Sequence, residues 1–578
     1  MTLISDWGEK LDRDHPLQEY PRPQLQRDSY VSLNGAWEYQ ITERNGDTKE
    51  NGWKHITVPF ALGSLLSGTE EQLMPGKTVW YRRQFAYRPN SFRTWLNFEA
   101  VDMECIVFMN GMQVGSHKGG YCPFGFDVTE FVKYQNTIML KIIDDSEQGM
   151  YAYGKQVTNH GGMWYTPSSG IWGSVWLEDI GPHGVHDLKI TPDYDNACVY
   201  INAAGSFTQA VVTVSCQGHV IHSGITNDGH YTVPLPDFHA WTVEDPFLYD
   251  LFVSTDDDVV KSYFGMRQFA AAFDANGIMR FTLNHKPIFL SGLLDQGYSA
   301  DGLMTYPSEE AMRFELQSIK DMGFNMLRKH VKVENRRWYS LCDHLGILVM
   351  QDMPSGGFTE YDTKTLGVLP SLGFTHRKDD GSDPKLIRSE ASKLAYYEEL
   401  DAMLDELYNV TSIFAWVPFN EGWGQFKSEQ VTRRIKQYDR TRLVDSASGW
   451  FDQGGGDFKS IHNYFFPFHA NAKDKNRILL LSEFGGYSYM EWGHTTCNKL
   501  YGYKKFKDKK KLDDAVNYLY EKMILENIRK GLSGCIYTQI SDVEDECNGL
   551  FTYDRKILKV DSRRMKKMNE RLYRRIVK

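Results

Sequence analysis

The sequence lacks several features that define specialised classes of protein. Its 578 residues contain no uninterrupted apolar run of about eighteen, the length that a membrane-spanning helix needs. The first two dozen residues have no basic segment followed by an apolar one, so no secretory signal is predicted. The net charge is −10 at neutral pH, which argues against a nucleic-acid backbone as the main partner. These absences predict a cytoplasmic protein that binds neither membrane nor nucleic acid.

Cysteine is present but sparse and shows no pattern of use. The eight cysteines are scattered without any Cys-x-x-Cys spacing, so they predict neither a zinc framework nor a dense set of disulfides. We expect free thiols, no metal and no cofactor. The basic stretches at 504–511 and 563–578 predict solvated surface and a terminal helix.

The composition is that of a large globular protein rich in aromatic residues. Hydrophobic residues make up 41% and charged residues 24%, and the length predicts three to four domains at roughly 100–200 residues each. Aromatic residues reach 14%. Most must fill cores, but ring faces also stack on the apolar face of a pyranose, so part of them can line a sugar site.

The pattern of short segments divides the chain into a β-rich part and an α/β part. Residues 1–180 and 181–272 contain short, often alternating segments separated by Gly, Asn, Asp or Pro, which predicts two β-sandwiches. The second is about 90 residues long, the size of an immunoglobulin-like sandwich. From residue 273 to 578, apolar runs alternate with helical stretches, which predicts a (β/α)8 barrel. Its strands are predicted at 287–292, 324–328, 347–352, 413–420, 443–448, 460–464, 478–483 and 534–540, and three of its helices at 308–322, 335–345 and 387–407.

Two glutamates occupy the positions where such a barrel places its chemistry, the carboxyl ends of strands. Glu421 follows the fourth predicted strand and Glu483 ends the seventh. Either alone can be a structural carboxylate that accepts from loop amides. As a pair across a barrel mouth they suit glycoside hydrolysis, in which an ionised carboxylate attacks the anomeric carbon while a protonated one gives its proton to the departing oxygen.

Several motifs resemble family 2 of the glycoside hydrolases, which includes β-galactosidases, β-glucuronidases and β-mannosidases. In the barrel these are the Asn420-Glu421 pair and the segment SEFG at 482–485. In the first sandwich they are LNGAW at 33–37, WYRR at 80–83, SGIW at 169–172 and VWLE at 175–178. The order of domains matches as well, so the resemblance implies a jelly-roll sandwich, an immunoglobulin-like sandwich and a catalytic TIM barrel.

The resemblance also implies a mechanism and a set of site residues. The activity would be that of a retaining exo-β-glycosidase with Glu483 as nucleophile and Glu421 as acid/base. Asn420 would contact the sugar 2-hydroxyl, and Arg328 and Tyr464 would support the nucleophile. The remaining candidates for the sugar pocket lie at other strand ends: His330, Asp352, Trp450, His462 and Tyr537.

The loop after the last barrel strand departs from the family pattern and bears on the substrate. Glu546 and Asn548 stand where β-glucuronidases carry an Asn-x-Lys element that holds the sugar carboxylate, and further acids precede them in the stretch 542–546. Their charge would repel a uronate, so we expect a neutral hexopyranoside, a β-galactoside first. The alternative is a β-glucuronidase or β-galacturonidase that uses another cation, for which the candidates are Lys329, Lys332, Lys499 and Lys504.

Three further alternatives stay open at this point. The acidic stretch 542–546 can instead hold a divalent cation or a cationic aminosugar. The protein can be a carbohydrate-binding protein without turnover, although binding alone needs no acid/base pair. Association into a homo-oligomer is compatible with the sequence.

Overall fold

The computed structural model describes residues 3–357, 362–374, 376–471, 476–497 and 499–577. Over these ranges the chain forms two β-sandwiches followed by a parallel barrel with helices around it, which confirms the predicted fold class. No helix in the described ranges is at once long and apolar enough to cross a membrane. All eight cysteines are free thiols.

The N-terminal sandwich packs a six-stranded against a four-stranded antiparallel sheet. Its strands alternate in burial, as in Gln135–Ile143, where Ile138, Leu140 and Ile142 point into the core. The six-stranded sheet has the order Lys54–Val58, Gly35–Glu43, Lys77–Ala86, Gln135–Ile143, Glu104–Met109 and Met112–Lys118; the other has Val31–Ser32, Val175–Ile180, Arg93–Phe98 and Phe124–Asp127, and Gly170–Ile171 pairs with Val101–Asp102.

The second sandwich has the seven strands of an immunoglobulin-like domain in the described chain. Val199, Ile201, Val212 and Leu251 fill its core from both sheets. One sheet has the order Val185–Asp193, Cys198–Gly205 and His230–Pro234; the other has His219–Thr226, Ala210–Cys216, Tyr249–Ser254 and Val259–Phe264.

A small antiparallel sheet closes the bottom of the barrel. It consists of Phe269–Phe273, Met279–Leu283 and Lys286–Pro287. Phe281 packs against Phe414 of a barrel strand with ring centroids 5.0 Å apart, so this sheet shares its core with the barrel. The predicted limit between residues 272 and 273 falls inside its first strand; the three domain ranges stay a prediction.

Eight parallel strands, all within the described ranges, form the barrel. They are β1 (Leu290–Asp295), β2 (Met326–Lys329), β3 (Leu348–Asp352), β4 (Ile413–Val417), β5 (Leu443–Val444), β6 (Phe458–Asn463), β7 (Ile478–Gly485) and β8 (Leu532–Thr538). They are hydrogen-bonded in the order β5, β4, β3, β2, β1, β8, β7, β6. The amide of Asp457 donates to the carbonyl of Val444 at 2.8 Å, which links the segments before β6 and in β5.

The predicted helices begin at side-chain caps. Ser308, Asn335 and Ser389 each accept a hydrogen bond from the amide three residues later, which satisfies a donor that the first turn leaves free. The α-helices are Glu309–Asp321, Arg336–Leu345, Leu369–Ser371, Glu390–Leu407, Ser428–Tyr438, Lys509–Leu519 and Ser562–Val577, and the π-helical turns are Thr363–Val368 and Tyr520–Leu525. The 3₁₀ turns are Gly8–Lys10, Glu50–Gly52, Ser146–Gln148, Pro384–Leu386 and Ile528–Lys530. Two short strands pair beside the barrel, Tyr487–Tyr489 and Lys504–Phe506.

Strand β4 is shorter than predicted, and this difference positions the site. The strand ends at Val417 rather than residue 420 because Pro418 has no amide hydrogen to continue the ladder. Asn420 and Glu421 therefore lie on the loop that follows. The Glu421 amide donates to the carbonyl of Ser448 at 2.9 Å, so the loop after β5 holds the loop after β4 in place.

Candidate active site

Two carboxylates and one imidazole converge at the mouth of the barrel. Glu483 lies in β7, Glu421 on the loop after β4, and His462 in β6, and one side-chain N or O atom of each lies within 4.8 Å of those of the other two. His462 Nδ1 is 2.7 Å from Glu421 Oε1, and its Nε2 is 3.5 Å from Glu483 Oε1. The imidazole thus bridges the two glutamates. The group is also compact enough to hold a metal ion.

Arg328 of β2 connects the residues around Glu483. Its side chain is fully buried, and Nη1 donates to Glu483 Oε1 at 3.1 Å. Nη2 donates to Asn420 Oδ1 at 2.8 Å, and Nε to the two Asp352 oxygens at 2.9 and 3.1 Å. The planar guanidinium therefore fixes three side chains from separate strands and loops. Burial opposes its charge, but Asp352 and Glu483 hold the pKa of Arg328 above its ordinary value.

Tyr464 contacts the second oxygen of the same glutamate. Its hydroxyl donates to Glu483 Oε2 and lies 3.1 Å from Thr538 Oγ1. The ring stacks on Tyr503 with centroids 3.8 Å apart and an interplanar angle of 8°. Burial and the neighbouring carboxylate raise the pKa of Tyr464 well above its ordinary value, so the phenol remains a hydrogen-bond donor.

The surroundings of Glu483 keep it ionised. Burial alone would raise the pKa of Glu483, but His462, His330, Arg328 and the hydrogen bond from Tyr464 outweigh it and hold that pKa below its usual range. Burial also lowers the pKa of His330 well below its ordinary value, so a positive charge on this imidazole is costly. Arg328 is therefore the permanent positive charge of this set, and Glu483 has the state that a nucleophile requires.

His330 and Asp352 lie behind Arg328. His330 Nδ1 is 2.8 Å from Asp352 Oδ2, and the His330 ring lies edge-on to Trp423 with centroids 6.4 Å apart. The structure thus brings both residues to the site, with Asp352 holding the guanidinium and the imidazole. Asp352 therefore acts on the site by positioning these two groups.

Trp450 and Tyr537 have different surroundings. Trp450 lies edge-on to His462 with centroids 5.4 Å apart, and both border a cavity of about 590 Å³ that extends over Tyr464. Tyr537 is fully buried, and its hydroxyl accepts from the Tyr487 amide at 3.2 Å. Trp450 is therefore placed to contact a substrate, whereas Tyr537 packs behind β7. Their roles in binding stay predictions.

Two candidate lysines, Lys329 at the end of β2 and Lys332 on the loop that follows it, are not available to a ligand. Lys329 pairs with Asp295 at 2.6 Å and with Glu334 at 3.1 Å. Lys332 pairs with Glu334 at 2.7 Å. Each ammonium is buried and already neutralised inside the barrel wall. The other two candidates, Lys499 and Lys504, are exposed.

The acidic stretch after β8 binds protein groups. Asp542 pairs with Lys559 at 2.6 Å. Glu544, Asp545 and Glu546 accept from the Thr166 amide, the Gly162 amide and the Tyr165 hydroxyl, all in the first sandwich. No three of these acids converge closely enough to hold a metal ion in the described chain. The stretch instead anchors a sandwich segment to the barrel.

The sequence did not indicate that this segment, residues 151–166, would contact the barrel. The amides of Tyr153 and Gly154 donate to the carbonyl of Ser355 at 3.0 and 2.8 Å, and Trp164 packs against Trp423 with centroids 5.2 Å apart. It also brings Lys155 to the barrel mouth. The only available signal was its density of glycine and aromatic residues, which does not identify a partner domain.

Two sequence models of one family match the chain. Residues 277–505 match "Glycosyl hydrolases family 2, TIM barrel domain", and residues 69–179 match "Glycosyl hydrolases family 2, sugar binding domain". The chain belongs to family 2 of the glycosyl hydrolases. The predicted family is thereby confirmed. A glycosidase needs a pair of acidic residues, and the barrel mouth of this chain carries two glutamates.

The relatives within family 2 are named after different substrates. A Formosa agariphila protein named "Putative beta-glucuronidase" is 26% identical over 82% of this chain and 58% of its own length. A Leuconostoc mesenteroides β-galactosidase is 23% identical over 85% of this chain and 47% of its own. The chain thus spans about half the length of these relatives. The solved Ruminococcus gnavus β-glucuronidase with uronic isofagomine has the same fold: TM-score 0.74, 17% identity, 96% of this chain and 99% of that chain covered.

Proposed function

We propose that this protein is a retaining exo-β-glycosidase that removes a terminal β-linked hexopyranose. The observation that carries this proposal is the spacing of the two glutamates, because an oxygen of Glu421 lies within 4.8 Å of an oxygen of Glu483. Carboxyl groups about 5–5.5 Å apart are typical of retaining enzymes, whereas inverting enzymes need about 6.5–9.5 Å to admit a water between them.

In the first step the ionised Glu483 attacks the anomeric carbon. A bond forms between that carbon and a Glu483 oxygen as the bond to the aglycone oxygen breaks. Glu421 gives its proton to the departing oxygen, so the aglycone leaves as a neutral alcohol. Arg328 and Tyr464 hold the Glu483 carboxylate in place through hydrogen bonds to its two oxygens.

In the second step water releases the sugar. Glu421, now ionised, takes a proton from a water molecule whose oxygen bonds to the anomeric carbon, and the ester bond to Glu483 breaks. Both carboxyl groups return to their starting states. His462 lies 2.7 Å from Glu421 Oε1 and positions this carboxyl group through both steps.

One orphaned donor supports a hydroxyl contact beside the reacting carbon. The Nδ2 group of Asn420 is buried and has no acceptor in the described chain, while its Oδ1 is held by Arg328. A buried donor without an acceptor is costly. A sugar hydroxyl next to the anomeric carbon supplies the missing partner, as the resemblance implied for Asn420.

The glycone is the finer part of the proposal. A neutral β-galactoside was expected because the acidic stretch after β8 would repel a uronate. Glu544, Asp545 and Glu546 are held against the first sandwich by hydrogen bonds, and burial raises the pKa of Glu544 and Glu546. The repulsion of a uronate is therefore weaker than the sequence predicts. The same double displacement serves a neutral or an acidic glycone. A cytoplasmic location stays a prediction.

Two measurements test the mechanism. Proton NMR of a nitrophenyl β-glycoside digest should give the β-anomer first, because two displacements restore the configuration. A 2-deoxy-2-fluoro glycoside should label the peptide that contains Glu483, and Glu483→Gln should abolish the label while the matched variant Glu491→Gln retains it. An α-anomer as first product, or the label on another glutamate, would contradict the proposal.

A further inference from the structure

Lys155 is a largely buried lysine at the barrel mouth, and its ammonium forms no hydrogen bond or ion pair with the described residues. It comes from the first sandwich, and only 7% of the residue is exposed. Its Nζ lies 5.5 Å from the centroid of the Tyr165 ring and 5.8 Å from that of Trp423. In the described chain no acceptor lies within hydrogen-bonding distance of this Nζ and no carboxylate lies within 4.0 Å. Two rings at such distances attract a cation only weakly.

The charge of Lys155 acts on residues on two sides of the site. Burial lowers the pKa of His330, and Lys155 lowers it further. Burial raises the pKa of Glu546, and Lys155 opposes that rise. The geometry agrees with this placement, because the Trp423 ring lies 5.8 Å from Lys155 Nζ and 6.4 Å from the His330 ring, with both distances taken to ring centroids.

The nearby carboxylate is already occupied. Glu546 accepts from the Tyr165 hydroxyl through Oε2, and Asn548 Nδ2 lies 3.4 Å from its Oε1. Glu546 therefore has its own donors and forms no direct pair with Lys155. An ammonium in this largely enclosed position has lost part of its hydration without gaining a charged partner among the described residues, and a ligand carboxylate would supply one.

The backbone around Lys155 is held rigidly. The Lys155 carbonyl accepts from the Tyr165 amide at 2.9 Å, and the adjacent Gln156 side chain donates to Asp102 at 2.8 Å. The acids of the loop after β8 bind the same segment at Gly162, Tyr165 and Thr166. These contacts fix the backbone at Lys155 before any ligand arrives, so the side chain starts from a defined point at the barrel mouth.

We propose that Lys155 binds the carboxylate of a uronic-acid glycone. The inference rests on the proposed glycosidase function and names its substrate class. A uronic acid carries its carboxylate at C6, and that carboxylate would give the ammonium the charged partner that the described residues do not provide. A neutral glycone would offer only a hydroxyl. The cation would come from the sandwich domain rather than from the loop after β8, where Asn548 replaces a lysine.

The test measures binding, so it does not depend on turnover. Calorimetry compares uronic isofagomine with isofagomine, which carries a hydroxymethyl group in place of the carboxylate, and repeats the comparison with the galacto-configured pair. The wild type should bind the acidic member of one pair at least tenfold more tightly, about 1.4 kcal/mol. Lys155→Met should reduce this preference at least tenfold, and Lys155→Arg should keep part of it.

A lysine elsewhere in the chain provides the matched control. Lys189 lies 4.0 Å from the centroids of both Tyr408 and Tyr438, away from the barrel mouth, so Lys189→Met removes a similar ammonium over two rings and should keep the preference. Lys155→Gln is a second neutral variant if Lys155→Met does not fold.

The possible outcomes separate the two proposals. Equal binding of both members in both pairs by the wild type, or an acidic preference that survives in the neutral Lys155 variants, overturns the inference. A wild type with the expected preference that hydrolyses no glycoside overturns the glycosidase proposal instead, while the role of Lys155 in binding stands.

Discussion

Gly449→Ala should disable the site through a single steric contact. Gly449 has a φ of +87°, and a Cβ built there would lie 2.6–2.7 Å from three atoms of the His462 ring. Ordinary contacts begin at about 3.4 Å, so the ring must retreat by roughly 0.8 Å. The 2.7 Å contact between His462 Nδ1 and Glu421 would then lengthen beyond hydrogen-bonding range.

The expected loss of activity follows from the displacement of the His462 ring. A misplacement of about 1 Å in a catalytic site can cost about 100-fold in rate, or about 2.7 kcal/mol. The left-handed backbone of the new alanine costs a further 1–2 kcal/mol or so in the free energy of unfolding. We therefore expect kcat/KM on a nitrophenyl glycoside to fall about 100-fold, with a modest decrease in Tm.

Gly454→Ala separates the loss of activity due to the steric contact from the loss of stability due to the left-handed backbone. Gly454 has a φ of +89° and nothing within 4 Å of a built Cβ, so this variant should show the same loss of stability and full activity. The double variant Gly449→Ala/His462→Ala should lose little more activity than His462→Ala alone, because both substitutions act on the His462 imidazole. Equal activity of the two alanine variants, or fully additive losses in the double variant, would refute this reasoning.

Two further changes test the roles of individual groups. Glu421→Ala should reduce turnover of substrates with poor leaving groups far more than that of activated nitrophenyl glycosides, and azide should restore turnover and yield a β-glycosyl azide; equal losses without rescue would exclude Glu421 as the acid/base. Tyr464→Phe removes a donor that stabilises ionised Glu483, so the pKa of Glu483 should rise and kcat/KM should fall most at the acid end of its pH profile, where Glu483 becomes protonated. Tyr520→Phe, which removes a buried hydroxyl without a partner in the described chain, should leave that profile unchanged.

The catalytic pair could be predicted from the sequence because its signals are local. Glu483 follows a buried apolar run that reads as a strand, and parallel strands of a barrel end at one face. Arg328, His462 and Tyr464 were also recognised at strand ends, whereas the roles of Arg328 and Tyr464 came from the resemblance to family 2. The predicted end of β4 is three residues too late, because the apolar run continues through Pro418 whereas the hydrogen-bond ladder cannot.

The cation at the mouth depended on the tertiary structure. The sequence indicates lysines near the barrel strands as candidates, yet Lys329 and Lys332 are neutralised by Asp295 and Glu334. Lys155 was absent from those candidates because it belongs to another domain. Periodicity predicts which face of an element is buried, but it does not predict which charges of distant segments will meet.

The local pattern of this chain therefore determined its architecture and the position of its two glutamates. Hydrophobic alternation, turn residues and strand-end carboxylates act over a few residues and can be recognised one segment at a time. The surroundings of the glycone were decided by the docking of residues 151–166 on the barrel. Whether a charged side chain finds an ion-pair partner depends on distances of a few ångströms between segments far apart in sequence. Only the packed structure sets those distances.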